Sequence, residues 1–306
     1  MKNFKTRQWI IYYLSAIFCY CGSSFSQRNY DTVQVRAQQI STTISMLTGA
    51  GGNIGVCHGG DGVFIIDDQF APLTEKIKKA IADLTQSSAP IRFIINTHWH
   101  GDHTGGNENL GKEGAVIIAH ENVRKRMSEE HFNEFFKSTT PPSPKSSLPV
   151  VTFTQDVTLH LNGDDAFVFH VDPAHTDGDA IIYFSKANVI HMGDIFFWGM
   201  YPFIDISSGG SINGMIAAVD RVLPKINDET KIIPGHGTLA SKKDLRAYRE
   251  MLVSIRDTIL SLVRRNKTLD EVIAAKPTKD FDELWGKGFL SSEKFVELVY
   301  KSLAKK

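Results

Sequence analysis

Between residues 33 and 66 the chain is rich in Val, Ile and Thr, and glycines interrupt it at Gly51-Gly52 and at Gly59-Gly60-Asp61-Gly62. That pattern predicts successive antiparallel strands, the last pair turning at Gly60-Asp61-Gly62. Behind Pro72, the residues Leu73, Ile77, Ile81 and Leu84 recur at intervals of four, four and three. This is the apolar stripe of a helix whose proline sits where a missing N–H does least harm. The run Ile91–Ile95 predicts a strand, followed by another over 116–119 and a helix from about Asn122. Residues 138–149 hold four prolines and no helical or strand period, which predicts a loop.

The second half repeats the plan. Strands are expected over 151–153, 157–161, 166–171, 181–184 and 189–191, then a helix carrying Ile212, Ile216, Val219 and Leu223, then a strand over 231–233. From Leu245 through Tyr248, Leu252, Ile255 and Ile259 to Leu262 the apolar positions alternate three and four apart, a clean amphipathic helix. Short helical pieces follow from Asp270. Strand-rich then helical, twice over, fits an α/β sandwich of two mixed sheets with helices on the outer faces, because each sheet must have both faces covered.

The N-terminus changes the picture of where such a chain works. Lys2, Lys5 and Arg7 precede an apolar stretch from Trp9 to Tyr20, and Ser24-Phe25-Ser26 precede Gln27. This reads as a secretory signal peptide over residues 1–26, too short for a membrane span, and it makes the expected location periplasmic or secreted with no stable membrane anchor after cleavage. Cys19 and Cys21 follow aromatic residues, which argues against lipidation, and only Cys57 survives cleavage, so the mature chain forms no internal disulfide. Overall charge is zero, and loss of three basic residues with the leader leaves 31 basic against 34 acidic side chains. No basic field for nucleic acid exists, and Arg124-Lys125-Arg126 reads as a solvated helix face. The expected partner is a small-molecule substrate. Residues 27–306 are read as one domain, with a helical extension from about residue 241.

Candidate chemistry is concentrated in Thr97-His98-Trp99-His100-Gly101-Asp102-His103-Thr104, four metal-competent side chains within six residues. Imidazoles and a carboxylate so close together suit a borderline divalent ion such as zinc. In the loop after strand Ile91–Ile95, His98 and His100 can turn to one side and Asp102 with His103 to the other, Gly101 resetting the phase. Three more ligand types stand in similar strand-then-loop settings: His175, Asp194 and His236. Five histidines and two aspartates give each of two ions three ligands, with one carboxylate left to share.

With this loop followed in order by His175, Asp194 and His236, the chain resembles the metallo-β-lactamase superfamily of metallohydrolases. The resemblance implies an αββα four-layer sandwich and a ligand partition: His98, His100 and His175 on one ion, Asp102, His103 and His236 on the other, Asp194 bridging. It also implies that Asp67 props the ligand loop. Lactamases with a cysteine ligand place Cys where Asp194 stands and a Lys soon after it, whereas Ile195, Phe196, Phe197 and Trp198 follow here. The histidine-rich lactamase branch has no bridging carboxylate. A bridging Asp resembles glyoxalase II, lactonases and phosphodiesterases, of which export disfavours glyoxalase II and the absent basic patch disfavours polyanions.

The expected activity is therefore zinc-dependent hydrolysis of an acyl bond, in a cyclic amide, lactone or related ester. Two zinc ions (iron or manganese being alternatives) would share a hydroxide, with Asp102 and Asp194 as the catalytic carboxylates. No Gly-x-Ser-x-Gly run exists, so the nucleophile is solvent-derived. Alternative readings are a class B β-lactamase, an iron-dependent sulfur oxygenase, and a non-catalytic metal-binding protein. Phe196, Phe197, Trp198, Tyr201, Phe203 and Trp99 are candidates for an apolar substrate wall or for core, and Tyr201 for a donor to a substrate carbonyl. His58, His120, His131, His160, His170 and His191 are assigned to no metal, His120 and His191 being expected near the rim.

Overall fold

The computed structural model describes residues 29–304, and the expected leader over 1–26 lies outside them. Four antiparallel strands open the fold: β1 (Arg36–Gln39), β2 (Ile44–Thr48), β3 (Ile54–Gly59) and β4 (Gly62–Ile66). The β3–β4 register pairs Gly59 with Gly62, so the turn is the expected one at Gly60-Asp61. Helix α1 (Thr74–Thr85) crosses back to β5 (Ile91–Ile95), which runs parallel to β4. A single turn α2 (Gly101–Thr104) and the short α3 (Asn107–Lys112) lead to β6 (Val116–His120) and α4 (Glu121–Ser128).

The next segment departs from expectation. Strands β7 (His131–Asn133) and β8 (Ser138–Thr140) form a small hairpin of their own, so part of the 138–149 stretch is strand. Phe132 is the one apolar residue in the two strands, so neither shows an apolar run, and the prolines that follow masked the pairing. β9 (Val151–Phe153) completes a seven-stranded sheet in the order β1-β2-β3-β4-β5-β6-β9. The second sheet holds β10 (Asp156–Leu161), β11 (Asp164–His170), β12 (Ala180–Phe184), β13 (Val189–His191) and, after α5 (Ile212–Val222), β14 (Lys231–Ile233), in sequential order. Helices α6 (Lys242–Arg264), α7 (Leu269–Ala274), α8 (Asp282–Trp285) and α9 (Ser292–Ala304) follow.

Side-chain alternation assigns the layers. Ile65 and Ile94 pack under α1 with Ile77 and Ile81, while their neighbours Ile66 and Ile95 turn inward to meet Val168, Ile182 and Ile233 of the other sheet. On that sheet Ile181, Ile190 and Ile232 face outward onto Met215, Val219, Leu252 and Ile255 of α5 and α6. The order is helix, sheet, sheet, helix, and both faces of the central strands are apolar, as buried parallel strands require. Full burial of an Ile is worth about 1.5–3 kcal/mol, whereas an exposed ion pair is worth about 1 kcal/mol or less. The inward isoleucines therefore hold the sheets together. α6 starts from a capping box in which Ser241 and Asp244 satisfy each other's backbone N–H.

Candidate metal centre

Strand direction brings the site together. β4 and β5 run parallel, and β13 runs parallel to β14 and in the same sense as β11, since β12 is antiparallel to both. The chain leaves β5 into His98–His103, leaves β11 toward His175, β13 toward Asp194 and β14 toward His236. Ligand-type residues thus gather beyond the C-terminal ends of co-directed strands, the usual place for sites in such sheets. Cross-sheet hydrogen bonds clamp this rim: Ala180 N to Thr97 O at 2.8 Å, and Asn53 N to Gly235 O at 2.7 Å. Gly235 has to be glycine, because a Cβ there would collide with the Asp194 carboxylate.

All seven residues singled out in the sequence converge. His98, His100, His175 and Asp194 form one group and Asp102, His103 and His236 a second, the ligand atoms in each lying within 4.8 Å of one another. Asp194 stands between them, Oδ1 at 3.0 Å from His103 Nε2, and Oδ2 at 3.5 Å from both His175 Nε2 and His236 Nε2.

The hydrogen bonds behind the rings decide what the front nitrogens carry. His100 Nε2 donates to Asp205 Oδ2 at 2.9 Å, His175 Nδ1 to the Phe203 carbonyl at 2.7 Å, and His103 Nδ1 to Asp67 Oδ2 at 2.7 Å. The Thr97 hydroxyl is spent on Asp67, so His98 Nδ1 donates to Thr97 Oγ1 at 3.0 Å. These partners assign each tautomer, leaving lone pairs on His98 Nε2, His100 Nδ1, His175 Nε2 and His103 Nε2. The His100 and His175 nitrogens then face each other at 2.9 Å with no proton to share. His98 Nε2 and Asp194 Oδ1 are buried without a hydrogen bond. Buried, converging lone pairs are tolerable only around a cation. The donor set, N and O with one shared carboxylate, fits a pair of divalent ions.

Without a cation, protons on His103 and His236 supply the compensating positive charge. Burial pushes the His175 imidazole down to about 4, and burial with the adjacent His103 holds His98 well below its usual value. Burial opposes charge on His236 and His103 too, but the carboxylates of Asp194 and Asp102 outweigh it, raising His236 to about 9 and His103 well above normal. Asp194 and Asp102 stay ionised because their imidazole neighbours overcome desolvation. The pocket is built to hold positive charge.

A sequence model described as the Metallo-beta-lactamase superfamily matches residues 47–238. The chain belongs to that superfamily. Within it, 163 residues are 28% identical to a hydroxyacylglutathione hydrolase of Pelagibacter ubique, covering 52% of this chain and 57% of the relative. Over 221 residues the chain is 22% identical to the 2,4-dinitroanisole O-demethylase subunit alpha of Nocardioides, covering 72% and 62%. The chain thus spans somewhat less than two thirds of the length of each. A solved metallo-beta-lactamase from Pontibacter korlensis superposes with a TM-score of 0.59 at 19% identity, over 72% of this chain and 99% of that one, a likeness of fold.

Around the candidate ligand cluster lies a cavity of about 800 Å³ lined by Trp99, His100, Asp102, Asp194 and His236. Of the aromatics after Asp194, Phe197 and Phe203 line it together with Met200, while Phe196, Trp198 and Tyr201 do not. Tyr201 is fully buried and its hydroxyl donates to Asp282 Oδ1 at 2.9 Å, so it is no donor to a substrate carbonyl. Tyr201→Phe should leave kcat and KM within twofold and lower stability by roughly 1 kcal/mol. Denaturant melts with steady-state kinetics check both.

Arg126, expected to be solvated, lines the cavity and is paired with Asp177 at 2.8 Å. His191 is buried, with its ring nitrogens on Asn53 O and Gly193 N, and His120 stacks on His170 at 3.7 Å. Cys57 is buried, which pushes its thiol up to about 12, so it is no nucleophile. Sequence reasoning missed Asp205 and Asp179, which hold His100 from the side chain and His175 from its backbone N–H. The Asp205 contact to the first histidine loop spans 105 residues and no local pattern encodes it, whereas Asp179 lies four residues beyond His175.

Proposed function

We propose that this chain is a dinuclear metallohydrolase, carrying two zinc ions, that cleaves an acyl bond of a small molecule, a cyclic amide, lactone or related ester, in the periplasm. The observation that carries the reading is the set of histidine lone pairs fixed by Asp205, Phe203 O, Asp67 and Thr97 and aimed at one another around Asp194. His98, His100 and His175 would hold one ion, Asp102, His103 and His236 the other and Asp194 both, and the pair would supply Lewis acidity and a water acidic enough to ionise near neutral pH. Iron or manganese accepts the same donors.

The chain's own groups do the rest. Asp102 is the carboxylate of the cluster that opens onto the cavity, 30% exposed, one oxygen 3.3 Å from His236 Nε2. It orients the attacking water, takes its proton and passes it to the leaving group. Asp194, 5% exposed, stays ionised between the imidazoles. Phe197, Met200 and Phe203 keep the cavity wall dry. A carboxylate, Asp194, placed between the two groups where a thiolate could stand, and a relative named hydroxyacylglutathione hydrolase, support acyl chemistry. The charged start and short apolar stretch of residues 1–26 support export.

Asp205→Asn should weaken metal binding by about 10–100-fold with the fold retained, since His100 is the cluster side chain it holds, its other side-chain partners being Ser208 and Asn133. Chelator competition measures this, and unchanged affinity removes Asp205 from the account. For the function itself, metal-loaded protein is assayed on nitrocefin, an acyl-homoserine lactone, an aryl phosphodiester and an acyl thioester. Turnover of the lactone or thioester at about 1–10³ s⁻¹, abolished by chelation, is the expected result. Nitrocefin turnover at that rate replaces the reading with β-lactamase, and four intact probes overturn it.

A further inference from the structure

The stretch that matches the superfamily ends at residue 238, yet the cavity around the metal-ligand cluster does not. Lys287, Gly288 and Phe289, in the loop between α8 and α9, line it together with Met200, Phe203 and the hairpin residue Phe136. Phe289 and Phe136 are 59% and 53% exposed. Two large aromatic faces left to water in one concavity gain by covering, which marks a ligand surface.

The loop is firmly placed. Tyr201 N donates to the Trp285 carbonyl at 2.8 Å, Trp285 packs edge-on against Trp198 at 5.2 Å, and Asp282 accepts from both Tyr201 and Ser292. A Cβ on Gly288 would stand 2.5 Å from that of Met200, so only glycine lets the loop lie this close to the segment that follows Asp194. Side chains carried by such a support present a formed wall, not one that must first be ordered.

Charge adds the second half of the argument. The other cavity cation, Arg126, is neutralised by Asp177 through two hydrogen bonds. Lys287 has no hydrogen bond or ion pair among the described residues. A lone ammonium beside apolar surface favours a ligand with an anion next to an apolar body.

We propose that the loop of residues 286–289 completes the substrate pocket, and that the substrate is an acyl compound with an apolar body set against Phe289 and Phe136 and one anionic group held by Lys287. As a statement about the substrate it rests on the acyl-hydrolase reading, while the binding it asserts does not.

The test uses metal-loaded protein and two probes that carry no cleavable acyl bond, phenylbutyrate and the uncharged phenylbutanol, with affinities from titration calorimetry. Lys287→Ala should weaken phenylbutyrate by about tenfold and phenylbutanol by less than about twofold. Lys287→Arg should keep the preference, and Phe289→Ala should weaken both probes by about fivefold. Contact of the carboxylate with metal is common to all variants and cancels in these ratios. If wild type binds both probes equally, or Lys287→Ala weakens both alike or neither, the proposal is overturned. If the Lys287 effect holds and every acyl probe stays intact, the pocket assignment stands and the acyl-hydrolase reading fails.

Discussion

Asp194→Asn should drop the bound metal from two ions to one or fewer per chain and lower kcat/KM by roughly a thousandfold or more. Asn has the shape of Asp, so the backbone contacts of Gly193 and Gly235 that seat it persist. What is lost is the one group placed between both triads, 3.0 Å from His103 and 3.5 Å from His175 and His236. An amide brings a neutral, weakly donating oxygen and two N–H groups into a cluster of lone pairs, and it no longer offsets the charge of two cations. Metal analysis of the purified variant, beside its circular dichroism, separates loss of metal from loss of fold. Full metal content with normal activity would remove Asp194 from the centre.

Asp102→Asn should behave differently. Turnover should fall by about 10²–10⁴-fold, while metal content falls much less. Six other residues still surround the two positions, so one ligand can weaken without emptying them. The proton-carrying role has no substitute, because Asp102 is the carboxylate of the cluster with appreciable exposure to the cavity, whereas Asp194 is buried. Kinetics on the substrate found in the panel and metal analysis of the same preparation decide the matter. Equal loss of both refutes a separate role for Asp102.

Much of this was readable in the chain. Strands such as Ile91–Ile95, with four apolar residues in five, and helices with a full stripe such as α6, declared themselves because burial on a known period leaves few alternatives. The seven ligand candidates were equally plain, since His and Asp set among Gly and Thr at strand ends have little structural purpose there. Three things were hidden. The β7–β8 hairpin has one apolar residue, Phe132, in its two strands, and so no apolar run to read. The supports of the histidines come from far along the chain, as with Asp205 for His100, or from the backbone, as with the Phe203 carbonyl for His175. The third is the division of the aromatics near Asp194. Phe197 and Phe203 line the cavity and Phe196 and Tyr201 are core, a distinction set by the packing of α6, α8 and α9 against them.

Residues 287–289 lie beyond the stretch that matches the superfamily and line the cavity together with Phe136, Met200 and Phe203, while all seven ligand candidates lie within the first 238 residues.

The most direct test is metal stoichiometry by plasma mass spectrometry on protein reconstituted with zinc and freed of excess, for wild type, His98→Ala and His236→Ala. Two ions per chain in the wild type and about one in each variant is the expected result, because each histidine belongs to a different triad. No retained metal in the wild type, or a wild-type count that neither replacement changes, would contradict the account.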